Sequence, residues 1–169
     1  MSKAFTRESD DAPEPRPLPR FVSSLPAGTK NYLTSDGAHK LRLELNGLSQ
    51  KRSTIVALPA DSEARLQLPA LDQRMFQLQQ SLQTAVITPA PAPPWEQVRF
   101  GATVTVRDAG GVEARYRIVG VDETDLDRDW VSWLSPIAGA LLNARIGQRV
   151  RFKSPAGEER LEVVGITYE

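Results

Sequence analysis

The sequence predicts an α+β protein: an antiparallel helical hairpin followed by a small, strongly bent β-sheet packed on one short helix. Three observations carry this expectation. Two apolar stripes with three- and four-residue spacings run through residues 41–55 and 68–85. A proline-rich spacer, Thr88-Pro89-Ala90-Pro91-Ala92-Pro93-Pro94, interrupts the chain after them. Beyond it lie alternating strand patterns and a strand–helix–strand packet over residues 131–157.

Residues 1–27 are charged and proline-rich, with Pro13, Pro15, Pro17 and Pro19 on alternate positions. They offer too little apolar surface to offset ordering entropy, so an extended or disordered arm is expected. From Thr34 the pattern becomes helical. Thr34 and Ser35 are candidate N-caps, and Asp36 suits the positive end of a helix. Leu41, Leu45 and Leu48 follow on one face. Ile55 arrives seven residues later, with Arg52 in the skipped slot, and Pro59 should stop the helix. The second stripe is Leu68, Leu71, Met75, Leu78, Leu82 and Ala85, with polar residues between, the seam of a coiled coil. Two such stripes joined by a short polar segment fold back most simply as an antiparallel hairpin across residues 28–87. Helices of about 20 to 25 residues would make it roughly 30 to 35 Å long. Pro69 either sits in the first turn of the second helix, leaving a loose tip before it, or kinks that helix. Residues 88–95 then read as a semi-rigid polyproline linker.

Residues 96–169 supply the sheet. Residues 103–106 alternate as a strand, and Asp108-Ala109-Gly110-Gly111 makes a hairpin turn into a second strand over residues 112–121. An acidic loop, residues 122–129, leads to the 131–157 packet. There Ser135 and Pro136 cap and start a helix, and Ile137, Leu141 and Leu142 share a face. Arg145 is placed for the helix C-terminus and Gly147 for a left-handed end. Val150 and Phe152 then face inward on a strand, and Ser154-Pro155-Ala156-Gly157 turns the chain. In the last strand the inward parity changes beside Gly165, which predicts a bulge.

Composition narrows the function. Acidic and basic residues balance at 21 each, so no global field selects nucleic acid or an anionic membrane. The absence of cysteine excludes disulfides, thiolate catalysis and cysteine-ligated metals, and one histidine, His39, cannot build a multi-histidine site. No apolar run reaches the ~18 residues of a membrane span, and the opening residues lack the apolar core of a signal peptide. A cytoplasmic protein is expected. The loop DETDLDRDW has alternating aspartates, but Trp130 and Pro136 stand where a calcium loop needs glycine and glutamate, so it reads as a solvated acidic loop. Phosphate-binding, nucleophile-elbow and dinucleotide fingerprints are missing. Arg115, Tyr116 and Arg117 lack the aromatic spacing of an RNA-binding platform. Asp61 and Glu63 fall at the hairpin's far tip. Carboxylates there can be presented inside another macromolecule to share a metal ion, or can simply populate a polar turn.

Several segments together resemble the bacterial GreA/GreB transcript-cleavage elongation factors, and most closely the GreB branch. In the N-terminal part these are MSKAFTRESD and LPAGTKNYLTSDGAHKLRLEL. In the C-terminal part they are RFGATVTVRD, YRIVGVDETD, SPIAGALL, IGQRV and SPAGEERLEVVGITY. The resemblance covers most of the chain outside the hairpin tip and the proline spacer. It implies an FKBP-like C-terminal domain that docks at the rim of the secondary channel of bacterial RNA polymerase, and a coiled coil that enters the channel. It places Ser132, Leu134, Ser135 and Pro136 on the docking loop. Contact with nucleic acid would be indirect, within the elongation complex. The protein would be a monomer with no membrane partner and no cofactor of its own, acting at most near the polymerase's Mg2+ by stimulating the polymerase's own cleavage.

Two departures shape the expected activity. The family tip has an acid–x–Ser–Glu–Asn pattern, whereas this chain has Ala60-Asp61-Ser62-Glu63-Ala64, with its carboxylates two residues apart. The hairpin is also shorter by roughly 14 residues, which removes ~10 Å of reach. Displacement by ~1 Å can already cost ~100-fold in a positioned reaction, so Asp61 and Glu63 do not inherit a metal-ligand role. Leu134 stands where relatives usually have Asp or Asn. The expected function is therefore a polymerase-binding elongation regulator with weak or no cleavage stimulation. The alternatives are a working GreB-type cleavage factor and an interaction module for another partner.

Overall fold

A computed structural model describes residues 25–154 and 157–168. The expected N-terminal arm falls largely outside the described residues, as do Pro155 and Ala156 of the 154–157 turn.

The chain enters through strand β1 (Asn31–Thr34) and passes directly into helix α1 (Ser35–Val56). Thr34 is the N-cap, its hydroxyl accepting from the Gly37 amide at 2.9 Å. A short 3-10 helix, Glu63–Gln67, forms the tip, and α2 (Leu68–Thr84) returns. Pro69 lies in the first turn of α2, where its missing N–H costs no intrahelical bond. The inward stripes are those the periodicity predicts. Leu41 and Ile55 on α1 and Leu71 and Leu78 on α2 are buried, with Leu45, Leu48 and Leu82 packed beside them. Arg52, in the skipped slot of the first stripe, pairs with Asp72 across the hairpin, and Arg74 pairs with Glu44 at 2.7 Å. A charged residue is tolerated there because the seam edge is solvated.

The hairpin's root differs from the expected plain helix end. Ala85, the last residue of the apolar stripe, belongs to strand β2 (Ala85–Thr88), which pairs in parallel with β1. Val86, Ile87 and Thr88 are consecutive β-branched residues, and Pro89 disfavours helix in the residue before it. Asn31 reinforces the break, its side-chain amide donating to the Ser81 carbonyl at 3.0 Å and so capping α2. Parallel strands need a crossover connection; here the whole helical hairpin supplies it.

Five strands form the second part: β3 (Thr103–Asp108), β4 (Glu113–Val119), β5 (Trp130–Ser132), β6 (Arg149–Ser154) and β7 (Gly157–Thr167). Their order is β5-β4-β3-β7-β6, antiparallel except for the β4–β5 pair. Thr105 pairs with Gly165 and Val106 with Val163, so Val164 is the extra residue of a bulge at the predicted place. Helix α3 (Pro136–Leu141) buries Ala138 and Leu141 against Val104, Ile118 and Val163. It is shorter than predicted. Leu142 leaves the helix at ψ 132°, and Asn143 takes the left-handed conformation at φ 69°. Arg145 consequently lies beyond the helix, bridged to Gln97, and the left-handed Gly147 (φ 82°) serves a later turn. The tertiary bonds between Val98 and residues 143 and 144 outweigh the helix-forming tendency of Ala144.

Candidate functional site

The loop after β5 is built by its serines. Ser132 Oγ accepts from the Leu134 amide at 3.2 Å, and the Ser132 carbonyl accepts from the Ser135 amide at 2.9 Å. Ser135 Oγ then caps α3 through the Ala138 amide at 3.3 Å, and Pro136 occupies the first helical turn. Both hydroxyls therefore hold the turn in shape. Leu134, 41% exposed, and Pro136 face outward instead, and together they present a small apolar surface on a rigid support. Trp133, just before Leu134, points inward, its ring edge-on to Tyr32 at 5.1 Å.

The tip is ordered rather than loose. Arg65 donates from Nη2 to the carbonyls of Val56 and Leu58, each at 2.7 Å, and from Nε to Leu58 at 3.2 Å. Two carbonyls at and just beyond the C-terminus of α1 are thus met by a cation, which also suits the negative end of the helix dipole. Asp61 lies in the turn before Ser62, whereas Glu63 opens the 3-10 helix, and both are exposed. The surrounding tip surface is partly apolar, with Leu58 exposed and Leu66 78% exposed. Among the described residues no group of three acidic, histidine or cysteine side chains comes together to hold a metal ion. Asp61 and Glu63 alone make an incomplete donor set for a metal ion.

Sequence reasoning missed the residues that join the hairpin to the sheet. Residues 122–129 are expected to form a solvated loop, yet Glu123 turns inward. Its Oε2 accepts from the amides of Thr34 (2.9 Å) and Gly120 (3.0 Å), and its Oε1 accepts from the Thr34 hydroxyl. Asp122 accepts from Ser81 of α2. A Cβ at Gly37 would fall inside the Glu123 carboxylate, and one at Gly120 would overlap the Tyr32 carbonyl oxygen. Tyr32 itself lies between Phe100 and Trp133, with ring centroids 5.6 and 5.1 Å away. Trp130 receives both Lys40 of α1 and Arg117 of β4 over its ring, at 4.8 and 4.7 Å. Lys40 also bonds Asp36, and that bond holds the Asp36 carboxyl below the usual carboxylate range. The available signal was Gly120 with an acid three residues on, a spacing suited to closing a tight turn. An open groove of about 330 Å³ under the proline spacer, lined by Trp95, Arg99 and Arg145, contains none of the predicted site residues.

A helical hairpin seated on a small bent sheet, with an exposed loop before a short capped helix, defines a two-part α+β factor without a catalytic constellation among the described residues. The profile for "Transcription elongation factor, GreA/GreB, C-term" matches residues 92–168. GreB of Pseudomonas aeruginosa is 37% identical over 166 aligned residues, covering 89% of this chain and 98% of the relative. GreB of Neisseria meningitidis serogroup A is 34% identical, covering 83% and 95% respectively. GreA of Alkalilimnicola ehrlichii is 36% identical, covering 83% and 99%. A solved GreA/GreB structure from Nitrosomonas europaea aligns at 24% identity with a TM-score of 0.42, covering 82% and 100%, an overlap that carries no argument about domain arrangement. The chain belongs to the GreA/GreB family of transcription elongation factors.

Proposed function

We propose that this chain is an RNA polymerase-binding elongation regulator. The C-terminal sheet docks at the rim of the polymerase's secondary channel, and the hairpin enters the channel with weak or no stimulation of transcript cleavage. The observation carrying the reading is the construction of the tip. Arg65 closes the end of α1, and Asp61 and Glu63 stand on different local elements beside exposed Leu58 and Leu66. Such a tip can occupy a channel, but it offers no preorganised carboxylate pair to help hold a metal ion there. A shortened rod is one way to account for the length of the alignment. The 166 aligned positions take in 89% of the 169 residues, about 150 of them, leaving about 16 positions of the relative without a counterpart.

Docking would rest on Leu134 and Pro136, with Ser132 and Ser135 shaping the loop. Substituting Leu134→Arg places a charge where an apolar contact is expected, so retention on immobilised core polymerase should fall at least tenfold while the fold is kept. No retention of the unaltered chain at low salt overturns the polymerase reading. On a backtracked complex, robust transcript cleavage that disappears in Asp61→Asn or Glu63→Gln overturns the non-cleaving assignment.

A further inference from the structure

We infer that Glu123 is a positioning residue: with Thr34 and Gly37 it fixes the direction in which the hairpin leaves the sheet. This rests on the reading above in one respect only, that the hairpin's direction matters for what its tip reaches. Glu123 bridges two parts of the chain that have no covalent neighbourhood. One end of the bridge is Gly120, at the exit of β4; the other is Thr34, the N-cap of α1. Three donors converge on one carboxylate, which holds it in a single orientation. The Thr34 hydroxyl is used twice, donating to Glu123 and accepting from Gly37. The first turn of α1 and the carboxylate are therefore one hydrogen-bonded unit.

The packing leaves little room for another arrangement. Neither Gly37 nor Gly120 can gain a Cβ without displacing Glu123 or Tyr32. On the opposite side Asp122 holds Ser81 of α2, so each helix is tied to the same acidic segment. Tyr32 links this root to the candidate docking loop through Trp133. A small angular change at the root is magnified along a helix of 22 residues. At 1.5 Å per residue, α1 is about 33 Å long, so a tilt of about 10° moves the tip by roughly 6 Å.

The chain has no cysteine, so cysteines introduced at Glu63 and Arg160, one on the tip and one on β7, can be spin-labelled cleanly. The tip-to-sheet distance distribution of this labelled parent should be narrow. Glu123→Ala should broaden or shift it by several ångströms. Gly37→Ala should do the same with the carboxylate still present, although alanine favours the helix. Glu123→Gln should recover most of the parent distribution, because its carbonyl oxygen can still accept both amides. Circular dichroism identifies any variant that fails to fold, and Gly37→Ala carries the test if Glu123→Ala does not fold. Distributions superimposable on the parent in the folded variants overturn the inference. Retention on core polymerase is measured in parallel: its failure in the parent overturns the polymerase reading and leaves the distance result standing.

Discussion

Arg65 does locally what α1 cannot do for itself, since that helix ends without a basic residue in its last turn. Its guanidinium meets the carbonyls of Val56 and Leu58. Arg65→Ala should cost about 1 kcal/mol, a figure held down by solvent exposure. It should also speed amide exchange at residues 57–67 more than elsewhere, which hydrogen exchange would register. Asp36 makes a second prediction at this scale. Its carboxyl is held below the usual range by Lys40, so its contribution is fully present above the ordinary carboxylate pKa and is lost as pH falls through the lowered folded value. The pair is half exposed, so the contribution is no more than ~0.5 kcal/mol. The difference in urea midpoint between the parent and Asp36→Asn should shrink as pH falls through the ordinary carboxylate range and below it; a difference that grows on acidification would contradict it.

Within the hairpin, position on the seam decides cost. Leu78 is 2% exposed, so Leu78→Ala leaves a cavity between α1 and α2 and should destabilise the hairpin by ~2–4 kcal/mol. Phe76 is larger but 60% exposed, and Phe76→Ala should change stability by less than ~0.5 kcal/mol. Chemical denaturation followed at 222 nm compares the two; equal losses would mean that Phe76 has a partner. The same periodic logic made this element legible, because the buried positions of α1 and α2, apart from Gly37 and Ala38 at the root, are the spaced apolar residues. It failed at the ends. Ala85 continues the stripe yet lies in β2, and Ala144 and Arg145 suit a helix that stops at Leu141. Element ends depend on which partner captures the outgoing chain: β1 captures residues 85–88, and Val98 captures residues 143–144.

At the scale of the molecule, the hairpin and the sheet meet through an aromatic and acidic junction rather than through the proline spacer alone. Tyr32 is its centre, packed between Phe100 and Trp133. Removing that ring with Tyr32→Ala should uncouple the two parts. The parent is expected to unfold with coincident helical and tryptophan signals. In the variant, loss of helix should precede loss of tryptophan packing. Coincident transitions in both proteins would show that the ring does not couple them.

The sequence by itself determined the two-part α+β architecture, the seam of the hairpin, the capped start of α3, the bulge near Gly165 and the family. Each is written in residues close together along the chain, where periodicity, caps and turn chemistry act, or in ordered motifs that survive without geometry. The candidate site was half legible. Ser132, Leu134, Ser135 and Pro136 could be placed on one loop, but that the two serines shape it while Leu134 and Pro136 face outward required the backbone to be turned. Only the tertiary structure decided the junction. Thr34 and Glu123 are 89 residues apart, and the local spacing from Gly120 to Glu123 marks a tight turn without showing that the carboxylate will also meet Thr34. Burying a charged group is costly unless donors await it, and those donors, the amides of Thr34 and Gly120, come together only once the hairpin stands on the sheet.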